Sequence, residues 1–166
     1  MHVQCNMKKI LLGVIVCISL NACSKEQFDV KVSSSEVLFD VKIKESTKVS
    51  SGTFEPGDAF SLFATEYDGE DSTPLSDDGN FFNNVKITYN GASWNSSEKL
   101  LWGMESCDFY AIYPYQGSVA SVNKYPFTVS ADQSEEGYEC SDILFTKSSK
   151  VNNAKKTVEL EFEHIL

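Results

Sequence analysis

Hydrophobic residues fall on every second position along most of this chain, and a period of two is the signature of β-strands with one buried face. Val37, Phe39, Val41 and Ile43 alternate with Asp40, Lys42 and Lys44. Val85, Ile87 and Tyr89 alternate in the same way, as do Tyr125, Phe127 and Val129. Val158, Leu160 and Phe162 interleave with Glu159, Glu161 and Glu163. Phe60, Leu62 and Ala64 follow the turn-forming Pro56-Gly57-Asp58 and share one face. Phe109 to Tyr115 is apolar or aromatic on both faces, as in a central strand covered on two sides, and Pro114 should end its ladder. Ile143-Leu144-Phe145 is a short apolar run, and Phe28, Val30 and Val32 could supply a first edge strand. No stretch with helical periodicity reaches the length of an ordinary surface helix. Short strands separated by Gly, Pro, Ser, Asn and Asp clusters predict an all-β fold, an antiparallel β-sandwich.

The start of the chain reads as an address. Met7, Lys8 and Lys9 form a basic head, and Ile10 to Leu20 is an apolar run too short to span a bilayer, which takes about 20 helical residues. Leu20-Asn21-Ala22-Cys23 closes it. This is a signal-peptide pattern, and a cysteine directly after Leu-Asn-Ala looks like a bacterial lipobox. The expected organisation is a leader over residues 1–22 with its true start at Met7, a tether over residues 23–35 lipidated at Cys23, and a β-domain over residues 36–166. The alternation breaks off at Glu163-His164-Ile165-Leu166 with no turn or polar tail, so a truncated domain is expected.

Charge excludes one class of partner. The chain has a formal net charge of −10, no arginine, and 24 Asp plus Glu. Losing the leader removes two lysines and no acid, which repels phosphate backbones further; nucleic acid is not an expected partner. Hydrophobic content of 42% and aromatic content of 12% suffice for a core. Cys5 and Cys17 belong to the leader and Cys23 to the lipid. Cys107 and Cys140 remain as an even pair in a chain sent to an oxidising compartment, which allows a disulfide.

Several segments, in this order, resemble the fimbrillin family of Bacteroidetes, the major and minor fimbrial subunits and their Mfa-like relatives. They are Phe54-Glu55-Pro56-Gly57-Asp58 leading into Phe60-Ser61-Leu62-Phe63, then Trp94 and Leu101-Trp102. Phe109-Tyr110-Ala111-Ile112-Tyr113-Pro114-Tyr115, Phe127-Thr128-Val129 with Asp132-Gln133-Ser134, Ser141-Asp142-Ile143-Leu144, and Val158 to His164 complete the set. The resemblance covers the family's N-terminal domain only, where members ordinarily continue into a second β-sandwich. It implies a Greek-key, transthyretin-like sandwich in a lipoprotein delivered to the outer membrane, acting in adhesion or pilus assembly. Its implied partners are other fimbrial subunits, joined by β-strand addition. The strand Val37 to Ile43 would be the removable segment and Thr47-Lys48 the neighbourhood of the cut. The arginine that often directs this cut in the family is absent here, and Lys48 stands near its place.

Catalytic chemistry is poorly supplied, and no enzyme activity or cofactor is expected. After the leader, His164 is the one histidine, and it lies on the same alternating face as Phe162, which suits packing or hydrogen bonding better than a triad or zinc site. Asp77-Asp78-Gly79-Asn80, with Asp68, Glu70 and Asp71 upstream, lacks the spacing of an EF-hand loop and reads as a solvated acidic loop. Glu135 and Glu136 are adjacent and would face opposite sides of a strand. Trp94, Trp102, Phe109, Tyr110, Tyr113 and Tyr115 fit a core better than a sugar-stacking platform. Asp71-Ser72-Thr73 resembles the O-glycosylation signal of exported Bacteroidetes proteins, with Ser72 as acceptor, and Ser24-Lys25-Glu26 loosely resembles a surface-export signal. The rival to a pilus subunit is a lipid-anchored surface module that captures host or bacterial glycans or proteins without polymerising.

Overall fold

The computed structural model describes residues 35–44, 53–132, 134 and 141–165, all within one unit spanning residues 31–166. The elements are all strands: β1 (Leu38–Ile43), β2 (Ala59–Asp68), β3 (Asp71–Ser72), β4 (Phe82–Tyr89), β5 (Trp94–Ser96), β6 (Ser106–Tyr113), β7 (Leu144–Asn152) and β8 (Thr157–His164). They form one mixed sheet in the order β1-β8-β7-β6-β2-β4-β5, with β3 folded back on the end of β2. Every pairing is antiparallel except β1 with β8, which is parallel. The sheet nearly closes on itself. Just before β1, Glu36 bridges Leu101, and the Val37 N–H donates to the Leu100 carbonyl at 3.0 Å.

The core lies inside this curl. Phe60, Leu62, Ile87, Trp102, Phe109, Val158, Leu160 and Phe162 are all buried, and the alternating residues of β4 and β8 point inward as the sequence predicts. β2 and β6 sit at the centre. β6 is covered on both faces, fully at Cys107, Phe109 and Ala111 and partly at Tyr110 and Ile112, in line with its double-sided apolar run. β2 carries the same burden although its sequence alternates with polar residues: Ser61, Phe63 and Thr65, on the face away from the core, are also buried. The segment after β6 covers Ser61, where the Tyr125 hydroxyl bonds to Ser61 Oγ (2.8 Å) and to the Pro114 carbonyl (2.8 Å).

That segment corrects one expectation. Tyr125, Phe127 and Val129 do alternate, but they form no strand, and Val129 is exposed. Both edges of β2 are already taken by β4 and β6, so the segment crosses the sheet face through side chains instead of joining the ladder. Two bulges bend the sheet. The β2–β4 register shifts between Leu62 and Ala64, with Asn84 at φ +47° and its Nδ2 donating to the Gln116 carbonyl (2.9 Å). The β6–β7 register shifts between Cys107 and Phe109, and Lys150 across the bulge has φ +49°.

Candidate strand-exchange groove

β1 is an edge strand laid over an aromatic floor. Its ladder to β8 runs in register from Leu38 opposite Thr157 to Ile43 opposite Phe162. The N–H of Leu38 donates to the Lys156 carbonyl (3.1 Å) and that of Lys44 to the Phe162 carbonyl (2.8 Å), which fixes both ends. Alternation turns Val37, Phe39, Val41 and Ile43 toward the core. Val37 is buried, but Phe39, Val41 and Ile43 remain half-buried, unlike the fully covered Val158, Leu160 and Phe162 of the neighbouring strand. The Phe39 ring meets Phe60 edge-on at 6.4 Å, and Phe60 in turn contacts Phe162 at 5.3 Å.

The outer face of β1 contributes little. Asp40 pairs with Lys42 at 3.2 Å and Lys44 with Glu163 at 2.6 Å, all well exposed. The hydrogen bond to Glu163 raises the Lys44 pKa, yet surface pairs of this kind add little to stability. The hold of β1 is therefore one ladder, a set of half-covered apolar side chains, and the bridge to Leu100 and Leu101 at its N-terminal end, where Val37 is buried.

The chain is anchored independently after residues 45–52. Phe54 packs edge-on against Trp94 (4.9 Å), Tyr113 (5.6 Å) and Phe162 (5.9 Å). The turn that follows explains the Glu55-Pro56-Gly57-Asp58 string. Asp58 Oδ2 accepts the Glu55 N–H (2.7 Å), its Oδ1 accepts the Tyr113 hydroxyl (3.1 Å), and the Gly57 N–H donates to the Tyr89 carbonyl (2.8 Å). Gly57 adopts φ +107°, a conformation that favours glycine.

A second polar feature faces outward beside β7. Asp108 is almost fully buried; its Oδ1 accepts the Tyr67 hydroxyl (2.7 Å) and the Lys150 N–H (2.7 Å), and Lys147 Nζ lies 3.1 Å from Oδ2. Burial would raise its pKa, but the Lys150 N–H, the Tyr67 hydroxyl and the Lys147 ammonium outweigh burial and lower it. Lys147 also sits over the Tyr110 ring and Lys150 over the Tyr67 ring, at 5.0 and 5.6 Å. An ion pair held this way locks the bulge between β6 and β7.

The remaining sequence candidates sort clearly. Trp102 and Phe109 are core residues in edge-on contact at 5.5 Å, and Trp94 packs on Phe60 at 4.9 Å. Tyr110, Tyr113 and Tyr115 are half-buried, and Tyr115 lies 5.3 Å beneath Lys86 Nζ. His164 Nδ1 lies 2.8 Å from Asp142 Oδ1, a hydrogen-bonding role at the end of β8. In the acidic loop Asp77 Oδ1 accepts the Val122 N–H (2.9 Å), while Asn80 bonds to Ser76 and Asn83. Glu70 pairs with Lys150. Among the described residues no group of three or more His, Cys, Asp or Glu is placed to hold a metal. Ser72 is exposed on β3. Cys107 is a buried free thiol whose pKa burial pushes up to about 12. Its expected partner Cys140, the lipidation residue Cys23, the cleavage neighbours Thr47 and Lys48, and Glu135 and Glu136 lie outside the described residues. Sequence reasoning missed Asp108, Lys147 and Lys150; an aspartate inside an aromatic strand was the available signal.

Comparison with known proteins points one way. No curated protein matches the chain. Among solved structures it is similar to a fimbrial protein from Bacteroides ovatus, with 22% identity and a TM-score of 0.50 over 80% of this chain and 28% of that one. It is also similar to two proteins proposed to act in cell adhesion. One, from Bacteroides ovatus, has 18% identity and a TM-score of 0.58 over 80% of this chain and 53% of that one. The other, from Bacteroides uniformis, has 22% identity and a TM-score of 0.50 over 68% and 43%. At these identities the likeness establishes the fold, and the chain spans between 28% and 53% of the length of these relatives. The family model described as fimbrillin-like matches residues 47–166, beginning between β1 and β2 and taking in every later strand. The chain therefore belongs to the fimbrillin-like family.

Proposed function

We propose that this protein is a surface-displayed, non-enzymatic fimbrial subunit that works in adhesion or pilus assembly, and that it joins other subunits by exchanging β1 for a strand from a neighbour. The observation that carries this reading is the uneven hold on β1. It has one ladder neighbour over its length, half-buried apolar side chains, and a chain re-anchored at Phe54 just after it. Cutting within residues 45–52, near Thr47-Lys48, would free β1 while Phe54 and its turn stay in place. The vacated groove would present Phe60, Leu160 and Phe162 to an incoming strand, with main-chain bonds to β8 giving affinity and alternate pockets giving specificity.

In this reading the chain reaches the outer membrane as a lipoprotein anchored through Cys23. Ser72, exposed on β3, is a candidate glycan acceptor. Burial of Trp102 and Phe109 in the core takes these two rings out of any glycan platform the rival module would use.

The test is removal of β1. A specific protease site placed within residues 45–52 is cut, and the N-terminal piece is washed out. The thermal midpoint should fall and recover when a synthetic peptide of residues 36–44 is added. Undiminished stability after β1 has left, with no peptide present, contradicts the reading.

A further inference from the structure

The other edge of β8 carries a separate feature. β7 and β8 form a hairpin, with the Lys155 N–H donating to the Asn152 carbonyl at its turn (2.9 Å), yet their ladder is almost absent. It consists of Leu144 opposite His164 and Phe145 opposite Glu163. From Thr146 and Phe162 toward the turn no further ladder pair forms, and a groove of about 580 Å³ opens over the two strands, with Asp40 and Lys42 of β1 at its far rim. A smaller hollow of about 180 Å³ continues it toward the turn.

The cause is visible on each side. Asp108 draws β7 toward β6 through the Lys150 N–H and Lys147 Nζ. β8 is drawn the other way by its parallel ladder with β1 and by burial of Val158, Leu160 and Phe162. Two strand edges consequently face each other without partners among the described residues, an arrangement that natural sheets normally cover or fill.

The groove also carries two acids that form no ion pair among the described residues, although Lys44 lies near enough to Glu161 to interact with its charge. Asp40 is paired with Lys42, Glu163 with Lys44, and Lys147 with Asp108. Glu159 and Glu161 line the groove and have no opposite charge bound to them among the described residues. Two residues apart on one strand, they face the same side at a spacing of about 6.8 Å, which is also the repeat of alternate side chains in any extended peptide.

We propose that the seam between β7 and β8 is a strand-insertion site, distinct from the β1 groove, for an extended segment of a partner protein. That segment carries Lys or Arg at every second position, with small or apolar residues between them. Its main chain bonds to the open edges of β7 and β8, its cations meet Glu159 and Glu161, and its apolar side chains face Leu160 and Thr146.

The probe is a capped seven-residue peptide alternating valine and lysine, added to the intact chain. Binding is followed by fluorescence anisotropy and located by hydrogen exchange. Saturable binding should slow exchange at residues 146–149 and 158–162 and leave Leu38–Ile43 unchanged, and so does not depend on whether β1 is replaceable. Combined Glu159→Gln and Glu161→Gln substitutions, both on exposed positions, should weaken binding about tenfold. Equal binding of a valine–glutamate peptide, protection confined to β1, or no binding would overturn the proposal. So would a free protein that sediments as a dimer with the seam already protected, because a second copy would then be the occupant.

Discussion

β2 and β1 both point an alternating row of apolar side chains at the same core, yet the protein holds them in opposite ways. β2 is paired on both edges and buried on both faces, with Phe60 and Leu62 inside and Ser61, Phe63 and Thr65 covered from outside. β1 is paired along one edge, its outer residues are exposed, and its inner ones are half-covered. Opening β2 would disrupt two ladders and the floor of the core together. Opening β1 exposes that floor and breaks one ladder. Cooperativity is thus expected to concentrate in β2 and β6, and two strands with nearly the same hydrophobic pattern are held to very different degrees.

Substitutions should make the contrast measurable. Phe60→Ala removes a fully buried ring and should cost about 3–5 kcal/mol, whereas Phe39→Ala, half-exposed on β1, should cost roughly 1–2 kcal/mol. Urea denaturation of the two variants reads the difference, and equal losses would break the comparison. Next in size is Asp108→Asn, which leaves the Lys147 ammonium without its buried partner and should cost about 2–3 kcal/mol near neutral pH.

The same residue sets a pH dependence. Its pKa is lowered in the fold, so its contribution is complete above the ordinary aspartate value of about 3.9 and fades as pH falls through the lower folded value. Wild type should lose this stability on acidification below about pH 4, and Asp108→Asn should show a flatter acid limb. Gly57→Ala comes next, at about 1 kcal/mol, because φ +107° strains any side-chain-bearing residue there although the space is open. At the small end, Lys44→Ala should leave denaturation unchanged, since its pair with Glu163 is exposed to solvent. A clear destabilisation there would mean that β1 is held by charge and not by its apolar face.

Much of this was legible from the residues. The rows Val37-Phe39-Val41-Ile43 and Val158-Leu160-Phe162 specify two strands and their buried faces, and Phe109 to Tyr115 specifies a central one. What could not be read was non-local. The parallel pairing of β1 with β8 joins segments more than a hundred residues apart, and no hairpin turn announces it. The outer burial of Ser61 on β2 involves Tyr125 reaching it from another part of the chain. The polar stretch of β7, Thr146 to Asn152, shows no hydrophobic alternation, and its strand conformation is held by β6 and by Asp108. The groove beside it follows from that strand's position and was invisible for the same reason.

The most direct test of the central contrast is native-state hydrogen exchange resolved to single strands. The account predicts that amides of Leu38–Ile43 exchange through a local opening well below the global unfolding free energy, while those of Leu62 to Thr65 in β2 and Phe109 to Ile112 in β6 exchange only when the whole domain unfolds. If the β1 amides are released only with the rest of the sheet, β1 is a permanent strand, and the exchange reading fails with it.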